Sequence, residues 1–331
     1  MKILVVGGAG YIGSHAVRQL LKENYEVVVV DSLETGFREA VDPSVTFYEV
    51  DIRDKEKLSA VFEQEKLDGV MHFAANSLVG ESMTNPLKYY SNNVTGAEIL
   101  LGTMVEYGVK NIVFSSTAAT YGDVKVMPIT EETPTNPTNT YGETKLAIEK
   151  MLKWTSVAHE LNYVCLRYFN VAGADEVGDI GESHNPETHL TPIILQVPLN
   201  QREHITIYGN DYDTPDGTCI RDYIHISDLI NAHILAMKYL VKGGENNHFN
   251  LGSSTGYSVN EMIEAAREVT GHPIPAVYGT RRAGDPASLI ASSDKAREVL
   301  GWTPQITDVK DIIKSAWKWH QSHPQGYQTE K

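Results

Sequence analysis

Two residues with acid–base capacity stand four apart in TYGETKLAIEK: Tyr141 and Lys145. On a helix, positions i and i+4 project from one face about one turn apart. A phenol titrates at about 10 in water, so alone it is a poor base at neutral pH. A neighbouring ammonium favours the phenolate and lowers that value. Such a pair is a proton shuttle for a substrate hydroxyl beside a hydride acceptor. The Tyr-x-x-x-Lys spacing also arises by chance on helix surfaces, and its weight comes from what precedes it in the chain.

Residues 110–122 read KNIVFSSTAATYG. The apolar run Ile112-Val113-Phe114 predicts a buried strand, and it opens onto three hydroxyls, Ser115, Ser116 and Thr117. Two alanines follow, Ala118 and Ala119, which can neither give nor take a proton. Further upstream, GGAGYIG places Gly7, Gly10 and Gly13 directly after the first strand pattern. Glycines allow a tight turn and close backbone approach to a pyrophosphate. The helix that begins near Tyr11 and Ile12 points its N-terminus at that charge. A glycine triplet alone also suits a turn with no ligand. Here a strand precedes it, a helix follows, and Asp31 ends the second strand 18 residues after Gly13. Asp31 can accept hydrogen bonds from a ribose diol and would repel a 2′-phosphate, so NAD is expected rather than NADP. Asp51 and Ile52 read as the pair beside adenine, the acid toward its amine and the isoleucine against its ring. A helix cap or turn is the other reading of Asp51. Phe73-Ala74-Ala75 ends the fourth strand with small side chains that let backbone lie against a cofactor, or that simply pack.

The elements that must position these residues alternate in type. Continuous β-branched runs at 3–6, 26–30, 45–51, 67–74, 111–116 and 162–170 predict strands buried on both faces, hence a parallel sheet. Strand–helix alternation predicts right-handed crossovers and an α/β, doubly wound (Rossmann) fold. Its ligands lie at the carboxyl ends of the strands. Regularity drops after Asn170, where GADEVGDIGESHNPETHLTP leads into a smaller C-terminal lobe with helical patterns near Ile226–Val241 and Val259–Val269. The division expected is residues 1–171 for the dinucleotide and 172–331 for the substrate, with a segment near 222–242 packing back on the first lobe.

Composition narrows the function classes. The chain has 331 residues and a net charge of −15, so general attraction to nucleic acid or an anionic membrane is not expected. No apolar run approaches the ~20 residues needed to span a bilayer. Cys165 and Cys219 form no CxxC pair and predict reduced thiols in a cytoplasmic protein. The twelve histidines include no HExxH; His184 and His189 fall in a loop without a matching acid geometry, so no metal is expected. His72, inside a strand, reads as a satisfied core residue.

The ordered set GGAGYIG, FAA, SST and YGETK resembles the extended short-chain dehydrogenase/reductases. VGESMTNPLKYYSNNVTG, LRYFNVAGA, TIYGNDYDTPDGTCIRDYIHISDL and RRAGDPASL narrow the resemblance to the UDP-glucose 4-epimerases, nearly end to end, the closing HPQGY included. The resemblance implies that NAD stays bound while a UDP-sugar is oxidised at C4, turns, and takes the hydride back on its other face. It implies that Tyr141 removes the 4-hydroxyl proton, Lys145 holds the nicotinamide ribose and lowers the tyrosine's pKa, and Thr117 hydrogen-bonds the same sugar oxygen. Asn92 and the backbone at Phe169 match cofactor contacts. Arg221 and Arg282 match phosphate-binding arginines, and Asn170, Leu190, Tyr208 and Asp285 match positions around the phosphates, uracil and its ribose. The family usually dimerises through two helices per subunit, here near Val94–Tyr107 and Thr144–His159.

Four positions depart or discriminate. Thr117 stands where serine is common, His189 where many members have asparagine, and Ser77 where some have a lysine near the cofactor phosphates. Leu289 aligns with a pocket wall that is tyrosine in some members, and its smaller side chain predicts some turnover of UDP-N-acetylhexosamines. On the same scaffold, 4,6-dehydratases carry Asp-Glu or Ser-Glu where this chain has Ala118 and Ala119. Non-catalytic NAD-sensing regulators often lose the tyrosine or the lysine, and both are retained here.

Overall fold

A computed structural model describes residues 1–282 and 285–327. Ala283 and Gly284 of the RRAGDPASL motif and residues 328–331 lie outside the described residues. The chain alternates β1 (Lys2–Val6), α1 (Tyr11–Lys22), β2 (Glu26–Asp31), β3 (Thr46–Glu49), α2 (Lys55–Gln64) and β4 (Gly69–His72). It continues through short α3 (Val79–Thr84) and α4 (Pro86–Tyr89), a π-helical turn at Tyr90–Thr95, α5 (Gly96–Glu106), β5 (Asn111–Thr117), α6 (Thr140–His159) and β6 (Asn162–Tyr168). Seven strands form the main sheet in the order β11-β6-β5-β4-β1-β2-β3, where β11 is Asn247–Leu251. Every pairing in it is parallel, which bears out the predicted doubly wound fold.

The valine-rich runs explain the layering. Successive side chains of a strand point to opposite faces. Ile3 and Val5 of β1 join one apolar cluster with Val29, Met71, Val113 and Val164, covered by α1 and α8 (Ile226–Val241). Leu4 and Val6 join the other with Val28, Val70, Ile112 and Phe114, covered by α2, α5 and α6. A third cluster belongs to the second lobe and unites α7 (Leu190–Gln196), α9 (Val259–Thr270) and α11 (Val309–Ser322) with β8 (Ile205–Tyr208).

One strand expectation needs correction. The run 162–170 is not one strand: β6 stops at Tyr168, and Asn170–Ala172 forms β7, which pairs with β10 (Tyr223–His225) outside the main sheet. Phe169 is the switch residue between the two sheets. The second lobe holds two further small sheets. β9 (Ile220–Arg221) lies between β12 (Tyr257–Ser258) and β14 (Ser288–Leu289), and β8 pairs with β13 (Ala276–Gly279). No helix among the described residues is long and apolar enough to cross a membrane.

Candidate active site

Strand order reverses direction beside β1, with β2 on one side and β4 on the other. That switch point is where doubly wound sheets open a crevice. The glycine turn fills it. Gly7 has φ of +83°, and a Cβ there would lie 2.5 Å from the Ala74 amide nitrogen. A Cβ at Gly13 would lie 2.0 Å from the Gly7 carbonyl oxygen, so the helix can begin this close only without a side chain. At Gly10 the nearest atom is 3.5 Å away, leaving that flank open to a ligand. Asp31 is oriented by two amides, Ala9 donating to Oδ2 at 2.9 Å and Leu33 to Oδ1 at 2.8 Å. Burial raises its pKa while those amides pull it down. A Cβ on Gly36 would come within 3.0 Å of Asp31 Oδ1, so the glycine keeps space beside the carboxylate. An open glycine flank above a helix N-terminus and a pre-oriented acid fit a dinucleotide: the turn would hold its pyrophosphate and Asp31 its ribose.

The next strand ends carry the acid–base groups. Asn139 caps α6, its side chain accepting from the Gly142 amide at 2.8 Å, and this sets Tyr141 in the first turn. Gly142 has no Cβ, and one there would meet the Ala119 carbonyl at 2.5 Å. The helix start therefore rests directly on the turn Ala118–Thr120 that follows Thr117. Lys145 is buried; its Nζ donates to the Ser115 carbonyl at 2.8 Å, lies 4.8 Å from the centre of the Phe114 ring and 5.9 Å from that of Tyr141. Burial lowers the Lys145 pKa to about 7, opposed by Glu149. Burial raises the Tyr141 pKa to about 12, opposed by a hydrogen bond with the Thr117 side chain. The structure thus brings together the three residues expected to move the proton.

The second lobe reaches the same edge through β6 and β7. Thr117 pairs with Tyr168 in register, and two residues later Asn170 donates from its backbone N to the Asp222 carbonyl at 3.1 Å. Arg221 sits beside Asp222, ion-paired with Asp285 and in register with Leu289 on β14. The Arg282 guanidinium stacks 4.3 Å from the ring centre of Tyr208, a half-exposed residue. Asn170, Tyr208, Arg221 and the stretch from Arg282 to Leu289 are therefore four segments linked by these contacts.

The first 250 or so residues match one sequence family along residues 3–252, that of NAD dependent epimerases and dehydratases. The chain belongs to the NAD dependent epimerase/dehydratase family. A UDP-glucose 4-epimerase of Halalkalibacterium halodurans is 58% identical over 330 residues, covering 100% of this chain and 98% of that protein. A crystal structure of UDP-glucose 4-epimerase superposes with a TM-score of 0.98 at 60% identity, covering 99% of this chain and 100% of that one. A second, from Bifidobacterium longum with NAD+ and UDP, gives a TM-score of 0.93 at 39% identity and covers 99% and 100% of the two chains. The resemblance to the UDP-glucose 4-epimerases read from the motifs is borne out, and the expected dinucleotide agrees with the family's own name.

The remaining positions named from the sequence have the following surroundings. Asp51 is engaged by Arg53, whose Nε lies 3.0 Å from both carboxylate oxygens, and its pKa is lowered chiefly by that contact. Ile52 is buried, and its Cδ1 would lie 2.6 Å from a Cβ on Gly96. Tyr11 reaches across to donate its hydroxyl to the Gly173 carbonyl at 2.6 Å. The Asn92 amide donates to Asn93 Oδ1 at 3.0 Å. Asn93 itself was missed. It is fully buried, takes the Asn76 amide N–H, and donates to the Asn76 carbonyl and the Thr144 hydroxyl, tying the loop after β4 to α6. It lies in the π-helical turn, a form frequent at functional sites. Asp222 was missed too; it is buried and accepts from the backbone of Ser253, Ser254 and Ala291.

Two histidine expectations are corrected. His72 is buried, but neither ring nitrogen has a hydrogen-bond partner among the described residues, and burial holds it neutral with a pKa of about 3. His184 and His189 do meet acids: with Glu182 and Glu187 they place four ligand-type atoms within 4.8 Å of one another. The acids lie a few residues away on the same loop, which folds back so that His189 Nδ1 sits 3.0 Å from Glu182 and 3.1 Å from Glu187. Burial lowers the His189 pKa, but its hydrogen bond to Glu187 and the adjacent Glu182 carboxylate raise it to about 10. His184 rises to about 9 beside the same carboxylates, each 3.4 Å from an Nδ1 that has no hydrogen-bond partner among the described residues.

Proposed function

We propose that this chain interconverts UDP-glucose and UDP-galactose. The observation that carries this reading is the meeting of Tyr141, Lys145 and Thr117 beside the dinucleotide turn, with Arg221 brought alongside through Asn170. Bound NAD would accept a hydride from sugar C4, return it to the opposite face, and place a positive charge beside the phenol. Tyr141, as phenolate, takes the proton of the 4-hydroxyl and later gives it back, so the proton balance closes on the protein. At a pKa of about 12, burial alone keeps the phenol protonated, so the Lys145 ammonium is needed to stabilise the phenolate. The Thr117 hydroxyl aligns the sugar oxygen with Tyr141. Arg221 and Arg282 offer planar, permanently charged donors for the diphosphate, so that the sugar alone can turn.

The same reading assigns Phe73, Ala74, Ala75, Asn92 and Phe169 to the cofactor and His189 and Leu190 to the substrate side. It also makes the lobe of residues 172–331 the nucleotide-sugar half. Ala118 and Ala119 argue against a 4,6-dehydratase, which needs an acid or base there. Retention of Tyr141 and Lys145 argues against a non-catalytic regulator. Leu289, in register with Arg221, supports side activity on UDP-N-acetylglucosamine and UDP-N-acetylgalactosamine. A homodimer is part of the proposal: α5 and α6 flank a groove of about 470 Å³ lined by Leu101, Gly102, Val105 and Met151, with Trp154 65% exposed. The cytoplasm is the proposed compartment, in keeping with two buried, unpaired cysteines.

The decisive experiment supplies UDP-galactose and no NAD to the purified protein and follows the sugar by NMR. UDP-glucose should form with cofactor that co-purifies, and Tyr141→Phe should lower kcat by about 10²- to 10⁴-fold. Absence of UDP-glucose from protein shown to carry NAD would overturn the reading.

A further inference from the structure

One turn beyond Lys145 on α6 stands Glu149, buried, as is Arg167 on β6. Arg167 Nε donates to Glu149 Oε1 at 2.9 Å and Nη2 donates to Oε2, a bidentate pair. Ser116 Oγ donates to Oε1 at 2.6 Å. The remaining Arg167 nitrogen, Nη1, donates to the Tyr121 hydroxyl at 3.0 Å, which donates in turn to Asn250 Oδ1 at 2.7 Å. Glu149 is thus clamped by donors from β5 and β6, the two strands on which α6 lies. Lys145 grips the Ser115 carbonyl, one residue before Ser116 in β5. A buried ion pair is a weak reason for stability, since apolar residues of similar volume often do as well. Its place directly below the proton-transfer pair calls for another account.

We propose that Glu149 is a positioning residue for the reaction: held by Arg167 and Ser116, it fixes α6, and with it Lys145 and Tyr141, against β5, and its carboxylate opposes loss of the Lys145 proton. This rests on the roles given to Tyr141 and Lys145 above. The titratable and charged groups facing the pair are Tyr141 on α6, Tyr89 on α4 and His72 on β4. Tyr163, Cys165, Arg167 and Tyr168 face it from β6, His248 from β11, and Tyr121 from the segment after β5. Burial keeps the histidines neutral and raises the phenols and the thiol, so none of these supplies a negative charge at neutral pH. Among the described residues, the charge that opposes the desolvation of Lys145 is that of Glu149. With Glu149 in place the Lys145 pKa is already about 7; without it that value falls further, and the phenolate loses more of its stabilising neighbour.

The test is the pH profile of kcat for UDP-galactose, measured on NAD-loaded protein. Glu149→Gln should move the rising limb, which reports loss of the phenol proton, to higher pH by about one unit or more. Glu149→Asp should recover part of the shift. Glu149→Gln leaves Arg167 buried and unpaired, so the double variant Glu149→Gln/Arg167→Met decides the case if the single variant does not fold. A wild-type limb in either folded variant, even with reduced kcat, would overturn the proposal and leave Glu149 a purely structural group. Tyr141→Phe run in parallel separates the two readings: wild-type turnover there would sink the proton-transfer assignment itself.

Discussion

Burial drives the two groups of the proton pair in unhelpful directions. Lys145, ordinarily cationic to a pKa of about 10, falls to about 7, and Tyr141 rises to about 12. Left to desolvation, the site would hold a partly neutral amine beside a fully protonated phenol. Glu149 already opposes that fall at Lys145, and for the phenol the proposed mechanism adds the Lys145 ammonium and the positive nicotinamide. Thr117 adds a hydrogen bond that pulls Tyr141 down, and its Oγ1 also accepts the Ala119 amide at 3.1 Å. On the proposed mechanism the hydroxyl has two tasks, one toward the reaction and one in holding the turn. Thr117→Ser keeps both and should retain kcat within about threefold, whereas Thr117→Val matches the shape, keeps neither, and should cost on the order of a hundredfold in kcat. Steady-state kinetics with UDP-galactose checks this; a valine variant as active as the serine variant would remove Thr117 from the proton path.

The elements place these residues by close backbone approach. α6 meets the turn after β5 only because Gly142 lacks a Cβ; an alanine there would put carbon 2.5 Å from the Ala119 carbonyl oxygen. Backbone on both sides cannot yield cheaply, so Gly142→Ala should slide the first turn of α6, with Tyr141 in it, away from Thr117. The expected loss in kcat is on the order of a hundredfold, for a displacement near 1 Å, with far-UV circular dichroism unchanged. Wild-type kcat in the folded variant would show that the approach is not needed. Such contacts mark the boundary of what was legible in the chain. Runs such as Val27-Val28-Val29-Val30 announce a strand buried on both faces, and GGAGYIG between a strand and a helix announces its turn. β11 was not legible: NHFNL is short and half polar, and it becomes a strand by pairing with β6 at the sheet edge. The Glu149–Arg167 pair joins residues from neighbouring elements whose facing depends on the packed helix, although Lys145 and Glu149 already stand at i and i+4. Asn93 offered only its neighbour Asn92 as a signal.

Across the whole molecule, the segment after β7 lies between α1, which follows the glycine turn, and the C-terminal helix. Tyr11 binds the Gly173 carbonyl, Arg18 pairs with Asp175 and Asp179, and the Trp319 indole N–H donates to the Glu182 carbonyl at 3.2 Å. At this junction sit Glu182, Glu187, His184 and His189, with Tyr11 and His320 facing them. The cluster should make stability depend on pH in a defined window. The imidazoles are raised from 6.5 to about 9 and about 10, so their contribution is complete below 6.5 and is lost as pH rises through the folded values. The carboxylates are lowered from 4.5, so theirs is present above that value and is lost in acid. Both halves coincide only between about pH 5 and 6.5. The Tm of wild-type protein should therefore exceed that of a His184→Gln/His189→Gln variant by several degrees in that window. The gap should narrow steadily and close near pH 10, where the wild-type imidazoles have lost their protons. Thermal melts of both proteins at constant ionic strength, with NAD at saturation, give the comparison. A gap of equal size at both ends of the range would mean that the two rings hold the junction by packing, and that their charge contributes nothing to joining the lobes.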